Sequence, residues 1–311
     1  MVSMVISTPA ISVIIPHLNQ PDGLEACLAS LDAQSLERSY FEVIVVDNGS
    51  FSNPEDVIRK HPGTNLLREL QPGPGPARNL GSRHAASGIL AFIDADCLAE
   101  REWLQNALQT MNSSPEKTIL GGDVRIWRDR TQKITAIEAY ESVFGFRNKL
   151  YIEQHHYSVT ANLVVRRSDF LEIGAFSGIA FAEDMEWGQL ALQTGFRLIF
   201  APKMIVFHPA RRSLRELCKK WDRQIQHYLN KEREQGNPAW RIRWIFRALA
   251  VLGSPAIDFA NVLRSDRIEE GGWARAGAIL VLLAIRTHRA WKMLNLLFAR
   301  NAVTWNRPLR S

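Results

Sequence analysis

The chain has 311 residues, 46% hydrophobic and 23% charged, enough apolar side chains for a full core, which excludes an intrinsically disordered protein. Three cysteines, Cys27, Cys97 and Cys218, are odd in number and widely spaced. That pattern fits neither a disulfide framework nor a zinc cluster and predicts ordinary buried or half-buried thiols. The net charge of +6 is uneven, because residues 197–311 crowd Arg and Lys among Trp, Phe and Leu, and such a surface implies an anionic partner, nucleic acid or phospholipid.

Pro9 and Pro16 interrupt the early apolar residues, so no basic stretch followed by an apolar signal core is visible, and the active part is expected to be cytoplasmic. Ile11 to Pro16 is an apolar run of strand length, followed by a turn at Asn19-Gln20-Pro21-Asp22-Gly23 and a helical pattern from Leu24 to Leu31. Phe41 to Val46 repeats the run and closes on Asp47-Asn48-Gly49-Ser50, after which Asn53-Pro54 predicts a capped second helix. Asn65 to Glu69 reads as a strand, Gln71 to Pro76 as a rigid loop, Ala77 to Ser87 as a helix and Ile89 to Ile93 as a buried strand. Unbroken apolar strands alternating with helices predict an α/β fold with a mostly parallel sheet covered on both faces.

Farther on, Trp103 to Met111 predicts a helix, Ile119 to Trp127 a strand, Thr160 to Val165 a strand and Ser168 a helix start. Thr131 to Tyr157 gives no clear pattern. Phe181 to Thr194 predicts a helix that opens on Glu183-Asp184 and ends at Gly195, with short strands at Arg197 to Phe200 and Ile205 to Phe207, the latter delivering His208. From Leu214 the pattern is helical, so the expected division is a first domain over 1–215 and a basic amphipathic helical region over 216–311. The most apolar stretch of that region, Ala276 to Ile285, is ten residues, against the roughly 20 needed to span a bilayer. It predicts a helix lying in the membrane plane or a helix hairpin dipping into one leaflet, against a helical subdomain with a basic rim packing on the sheet, or a dimer interface.

In open sheets of this type ligands bind at the carboxyl ends of the strands. Three runs end there in polar side chains: His17 with Asn19, Asp47 with Asn48, and Asp94 with Asp96. Asp-x-Asp after a strand is by itself common turn chemistry. Two carboxylates beside a buried apolar strand are nevertheless costly unless a hard divalent cation carrying phosphate oxygens compensates them.

The ordered set Ile-Ile-Pro-His-Leu-Asn at 14–19, Val-Ile-Val-Val-Asp-Asn-Gly-Ser at 43–50, Gly-Pro-Ala-Arg-Asn-Leu-Gly at 75–81, Phe-Ile-Asp-Ala-Asp at 92–96 and Ala-Glu-Asp at 182–184 resembles the family 2 glycosyltransferases of GT-A fold. The resemblance spans about residues 11–215. It implies inverting transfer of a sugar from a nucleotide diphosphate donor with Mg2+ or Mn2+. It makes Asp47 a partner of the donor base, with Pro16, His17, Asn19 and Asn48 lining the nucleotide cleft and Arg78 near it. It makes Asp96 the metal ligand, Asp94 a contact to the ribose or the metal shell, and His208 a ligand for metal or a diphosphate oxygen. Bottom-up, His208 before Pro209 also reads as a packed or capping residue. The resemblance makes Asp184 the catalytic base with Glu183 beside it, although two acids at a helix start also suit the helix dipole alone.

Two positions depart from the family pattern. His17-Leu18 stand where relatives place an aromatic residue near the base, and Leu190 where several carry an arginine, for which Lys203, Arg211 or Arg212 are the candidate replacements or plain solvated charge. The implied partners are a nucleotide-sugar donor, UDP-linked by analogy, and a saccharide acceptor, lipid-linked or on a surface polysaccharide, at the cytoplasmic face of the inner membrane, with no nucleic acid. A nucleotidyltransferase would place a Gly-rich basic loop after the first strand, where Pro16 to Gly23 has neither Lys nor Arg. A nucleic-acid-binding protein would explain the charge but not the acidic crevice, and a non-catalytic sugar-nucleotide sensor remains an alternative.

Overall fold

Residues 8–178, 183–234 and 236–298 are described by a computed structural model. They fall into two units, one drawn from residues 8–129 and 145–209 and one from residues 130–144 and 210–298. The expected 215/216 division lies six residues beyond the third and last crossing, at 209/210, and the unpatterned stretch after Thr131 supplies a helix to the second unit.

The first unit carries β1 (Ile11–His17), α1 (Pro21–Asp32), β2 (Phe41–Asp47), α2 (Glu55–Ile58), β3 (Thr64–Arg68), α3 (Pro74–His84), β4 (Ile89–Phe92), β5 (Leu98–Ala99), α4 (Trp103–Ser113) and β6 (Thr118–Trp127). The second unit contributes α5 (Ala136–Phe144), after which the first resumes with α6 (Asn148–His155), β7 (Leu163–Arg166), α7 (Arg167–Ile173), α8 (Glu183–Gln193) and β8 (Arg197–Pro209). One eight-stranded sheet runs in the order β3-β2-β1-β4-β7-β6-β8-β5. β3, β2, β1 and β4 are parallel, as are β6 and β8, whereas β7 is antiparallel to both neighbours and β5 to β8. The mostly parallel expectation therefore holds for the half that carries the polar strand ends.

The sheet is buried on both faces because its strands are apolar at successive positions. Ile11, Val13 and Ile15 pack with Leu24 and Leu28 of α1 and Trp103 and Leu104 of α4. Ile14 points the other way, with Ile44, Phe92, Ala77 of α3, Phe170 of α7 and Trp187 of α8. Each such aliphatic side chain contributes about 1.5–3 kcal/mol on full burial.

Helices α1 and α3 begin earlier than their apolar spacing predicts, because Pro21 and Pro74 occupy the first turn, where the missing N–H costs nothing and the fixed φ is already helical. The two short strands expected at Arg197 to Phe200 and Ile205 to Phe207 are one strand, β8. Its pairing to β6 skips from Gly122–Ala201 to Asp123–Ile205, and Pro202, which cannot donate to the ladder, lies in that bulge.

The second unit adds α9 (Leu214–Glu234), α10 (Trp240–Gly253), α11 (Pro255–Arg264) and α12 (Gly272–Phe298) to α5. Pro255 breaks the expected Ala239 to Leu263 stretch into α10 and α11. Tyr140, Phe144, Leu217, Val262, Leu282 and Ile285 form its main core, and Ile225, Leu229, Trp244, Ala248 and Met293 a second cluster. Buried Glu141 pairs with Arg211, and buried Asp258 with Arg286.

Candidate active site

The strand order places the switch point between β1 and β4, since β2 and β3 lie to one side of β1 and β4 to the other. A crevice is expected outside the carboxyl ends of strands at such a point. His17 ends β1 directly opposite Asp47 at the end of β2. The His17 ring is buried. Its Nε2 accepts the backbone N–H of Gln20 at 3.3 Å, which assigns the ring proton to Nδ1, 3.3 Å from Asp47 Oδ1. Asp47 also accepts the Ser50 N–H at 3.4 Å.

Asn19 adopts a left-handed conformation at φ 54°, which Asn tolerates better than most residues, and its Oδ1 accepts the Phe51 N–H at 2.8 Å. Asn48 is spent on the loop before α3. Its amide donates to Glu69 O at 3.1 Å and Gln71 O at 2.8 Å, and its Oδ1 accepts the Gly73 N–H at 2.7 Å. Asn48 therefore shapes this rim through the Pro/Gly loop, a different task from the donor contact that the family resemblance implies. Pro16 pairs with Val46 inside the sheet, one residue behind the rim.

Gln20 links the His17–Asp47 end to the Asp94-x-Asp96 turn, since its backbone N–H bonds His17 and its side-chain Nε2 lies 3.5 Å from Asp96 Oδ2. Gly23 lets the start of α1 approach this turn: a Cβ there would stand 3.2 Å from both the Ala95 carbonyl oxygen and Asp96 Cα. Cys27 and Cys97 are buried, and burial, with Asp94 and Asp96 nearby, pushes both thiols up, so they stay protonated. Cys97 Sγ donates toward Asp96 Oδ1 at 3.8 Å.

His208, brought in by β8, donates from Nδ1 to Pro209 O at 2.7 Å, leaving the Nε2 lone pair directed at Asp96 Oδ1 across 3.8 Å. That separation is too long for a hydrogen bond and suits two ligands sharing one cation at roughly 2.0–2.6 Å each. A carbonyl that holds the far ring nitrogen is the usual outer support of a ligating histidine. Phe146 stacks on the ring with centroids 4.7 Å apart. Asp96 and His208 therefore fit a divalent cation, while the neutral thiol of Cys97, the third residue of this cluster, is a poor partner for a hard ion.

On the other side of Asp96 the site is organised by Arg78. Its buried guanidinium, carried by α3, bonds Asp94 Oδ1 at 2.7 Å and Glu183 Oε1, so one cation ties the Asp-x-Asp turn to the start of α8. Glu183 is buried and its Oε2 has no hydrogen-bond partner among the described residues. Gly75 makes room for it, because a Cβ there would stand 2.3 Å from Ser177 O and 2.6 Å from Glu183 Oε2. Burial outweighs the Arg78 charge and pushes the Glu183 carboxyl up to about 7. Burial likewise outweighs Arg78 at Asp184 and pushes its carboxyl up to about 6, and its Oδ1 bonds the Met185 N–H at 2.9 Å. Ala182, the first residue of the expected Ala-Glu-Asp motif, and Phe181 lie outside the described residues.

One chain of contacts thus runs from Asp47 through His17 and Gln20 to Asp96, and another from the same turn at Asp94 through Arg78 to Glu183, with Asp184 next in the helix. Sequence reading missed the bridging role of Gln20 and the dual ion pair of Arg78, which no local pattern signals. Of the candidate replacements for an arginine at position 190, Arg211 is committed to Glu141 while Arg212 and Lys203 are exposed, and Leu190 itself faces solvent.

Residues 12–174 match the family described as glycosyl transferase family 2. The chain is 32% identical over 223 residues to the glycosyltransferase AglE of Haloferax volcanii, covering 70% of this chain and 72% of that protein. Its fold is similar to that of the mannosyltransferase PcManGT from Pyrobaculum calidifontis, solved with GDP-Man and Mn2+, at a TM-score of 0.61 and 20% identity over 94% of this chain and 88% of that one. It is also similar to residues 1–349 of TarS from S. aureus, at a TM-score of 0.52 and 17% identity over 92% of this chain and 91% of that one. With the sheet order, the Asp-x-Asp turn at its switch point and these matches together, the chain belongs to glycosyl transferase family 2 and is a glycosyltransferase of GT-A fold.

Proposed function

We propose that this glycosyltransferase moves a hexose from a nucleotide diphosphate sugar to an acceptor hydroxyl by a single inverting displacement. The observation that carries this is the Arg78 clamp, which fastens the Glu183 carboxylate at the start of α8, next to Asp184, to the same turn that presents Asp94 and Asp96. In the step, Asp184 takes the acceptor O–H proton as that oxygen attacks the anomeric carbon. The bond from that carbon to the diphosphate oxygen breaks, and its electron pair leaves with the nucleoside diphosphate. His17 and Asp47 are suited to the base and ribose end, since Asp47 keeps acceptor capacity beyond its two long hydrogen bonds. Asp96 and His208 would hold a divalent cation, Mg2+ or Mn2+, which when bound neutralises charge developing on the diphosphate. The acceptor we favour is a lipid-linked saccharide of a surface polysaccharide pathway.

Screening UDP- and GDP-linked hexoses with Mn2+ for released nucleoside diphosphate tests donor, metal and activity together; no release with any donor and acceptor pair would sink this reading. Removing either metal ligand, as in Asp96→Asn or His208→Ala, is expected to raise the half-saturating Mn2+ concentration at least about 10-fold, measured by titrating metal into the chelator-treated enzyme.

A base with a raised carboxyl also sets the pH dependence. Below about 6 Asp184 is protonated and cannot accept the acceptor proton, so the rate should rise about tenfold per pH unit up to that point and level off above it. Glu183 adds a stability term of opposite sense. Its folded-state value near 7 lies above the ordinary 4.5, so between those values the folded state binds the extra proton, and stability falls as pH rises through that window.

A further inference from the structure

We infer that the exposed stripe of α10 is the docking face of this protein on a bilayer carrying anionic phospholipid. Helix α10 is apolar on two adjoining sides, one packed and one exposed. Trp244 and Ala248, one turn apart, are 1% exposed and pack in the second cluster with Met293, whose carbonyl accepts the Trp244 Nε1–H at 2.9 Å. The adjoining stripe, Ile242, Ile245, Phe246, Leu249 and Leu252, is exposed, with Phe246 at 67% and Ile242 at 59%. Helix α12 repeats the arrangement. Ala278, Leu282 and Ile285 are buried, while Trp273, Leu280 and Trp291, spaced at near-whole turns, are 93%, 67% and 59% exposed. Two such stripes in one unit exceed the scattered apolar exposure of an ordinary protein surface.

Charge selects the occupant. Helix α10 carries Arg241, Arg243 and Arg247 and no acid. Arg243 and Arg247 stand 3.6 and 3.7 Å from Glu232, and Arg241 lies over the Trp240 ring at 5.5 Å, so three guanidinium groups against one carboxylate leave this helix cationic. An apolar stripe bordered by arginines matches acyl chains below and anionic headgroups around the helix. No single described helix is long and apolar enough to cross a membrane, and α10 with α11 satisfies that test only as a pair bent by 40°. The packed Trp244 side of α10 favours a helix lying in the interface over one that spans, since spanning would unpack it.

This deepens the lipid-linked acceptor reading, and its test needs no sugar donor, so either can fail alone. The full chain is mixed with sedimentable vesicles of phosphatidylcholine, with and without about one-fifth phosphatidylserine, at low salt and at about 0.5 M salt. The expected result is partitioning onto the anionic vesicles that weakens in high salt. The triple variant Ile242→Ser, Phe246→Ser, Leu249→Ser should lose at least about 10-fold in partition while keeping its melting temperature and its nucleotide release with a soluble acceptor. The inference is overturned if the parent chain stays in the supernatant, or if the variant partitions equally well. It is also overturned if light scattering shows a dimer without vesicle binding that the variant converts to a monomer, because the face then belongs to a second copy.

Discussion

Asp184→Asn is expected to lower turnover by about 10²–10⁴-fold while leaving donor affinity within about twofold of the parent. The amide keeps the size and the hydrogen bond to Met185 but cannot accept the acceptor proton at any pH. The contrast with a sensor or a purely structural helix start is sharp. If Asp184 serves only the α8 dipole, the substitution costs a few tenths of a kcal/mol of stability and turnover stays near normal. Single-turnover release of nucleoside diphosphate together with calorimetric donor binding separates the two, and full activity in the amide variant would remove Asp184 from the chemistry. The rise of rate through pH 6 should vanish in the same variant, which ties the pH profile to this carboxyl.

Replacing Arg78 by Met should be the most destabilising single change in the site, about 3–5 kcal/mol, because it leaves buried Glu183 without its cation and releases Asp94. The Glu183 carboxyl already lies near 7 with Arg78 in place, so without the guanidinium it moves higher and is neutral at physiological pH. The expected readout in urea unfolding is a large loss at pH 8 that shrinks toward pH 5, where Glu183 is protonated in both proteins. The double variant Arg78→Met, Glu183→Met should recover much of the loss, since replacing a whole buried pair by apolar side chains is often near neutral. A pH-independent loss, or a double variant no better than the single, would show that Arg78 acts through packing against Phe176 and not through its charge.

Activity and stability therefore pull in opposite directions across the same pH range. Asp184 must lose its proton for turnover, while Glu183 stabilises the fold best when it keeps one. Both demands come from one buried corner at the start of α8, where desolvation outweighs a single arginine.

The first half of the sheet was legible because its signals are local. Ile11 to Pro16, Phe41 to Val46 and Ile89 to Ile93 are short apolar runs ended by polar residues, and the pattern places His17, Asp47 and Asp94 at one rim without knowledge of the remainder. Membership of the family displaces the nucleotidyltransferase alternative, and the five motifs that carry the resemblance lie in the first unit. The parts that were not legible depend on partners distant in sequence. Asn48 looks like a site residue by position, but its amide is consumed by carbonyls of residues 69 and 71, which only the loop path reveals. The single strand β8 was hidden by Pro202, because sequence reading counts a proline as an end, whereas a paired neighbour can carry a strand past it through a bulge.

What the sequence determined alone is the alternation of buried strands and helices and the chemical identity of the side chains at the strand ends, since burial period and turn chemistry act over a few residues. Only the tertiary structure decided that Arg78 would be shared between Asp94 and Glu183, that His208 would turn its free nitrogen to Asp96, and that α10 would keep an apolar stripe outside its packing. Each of these rests on the direction in which a side chain points toward an element tens of residues away, and on the desolvation that results. Neither quantity is written into local composition.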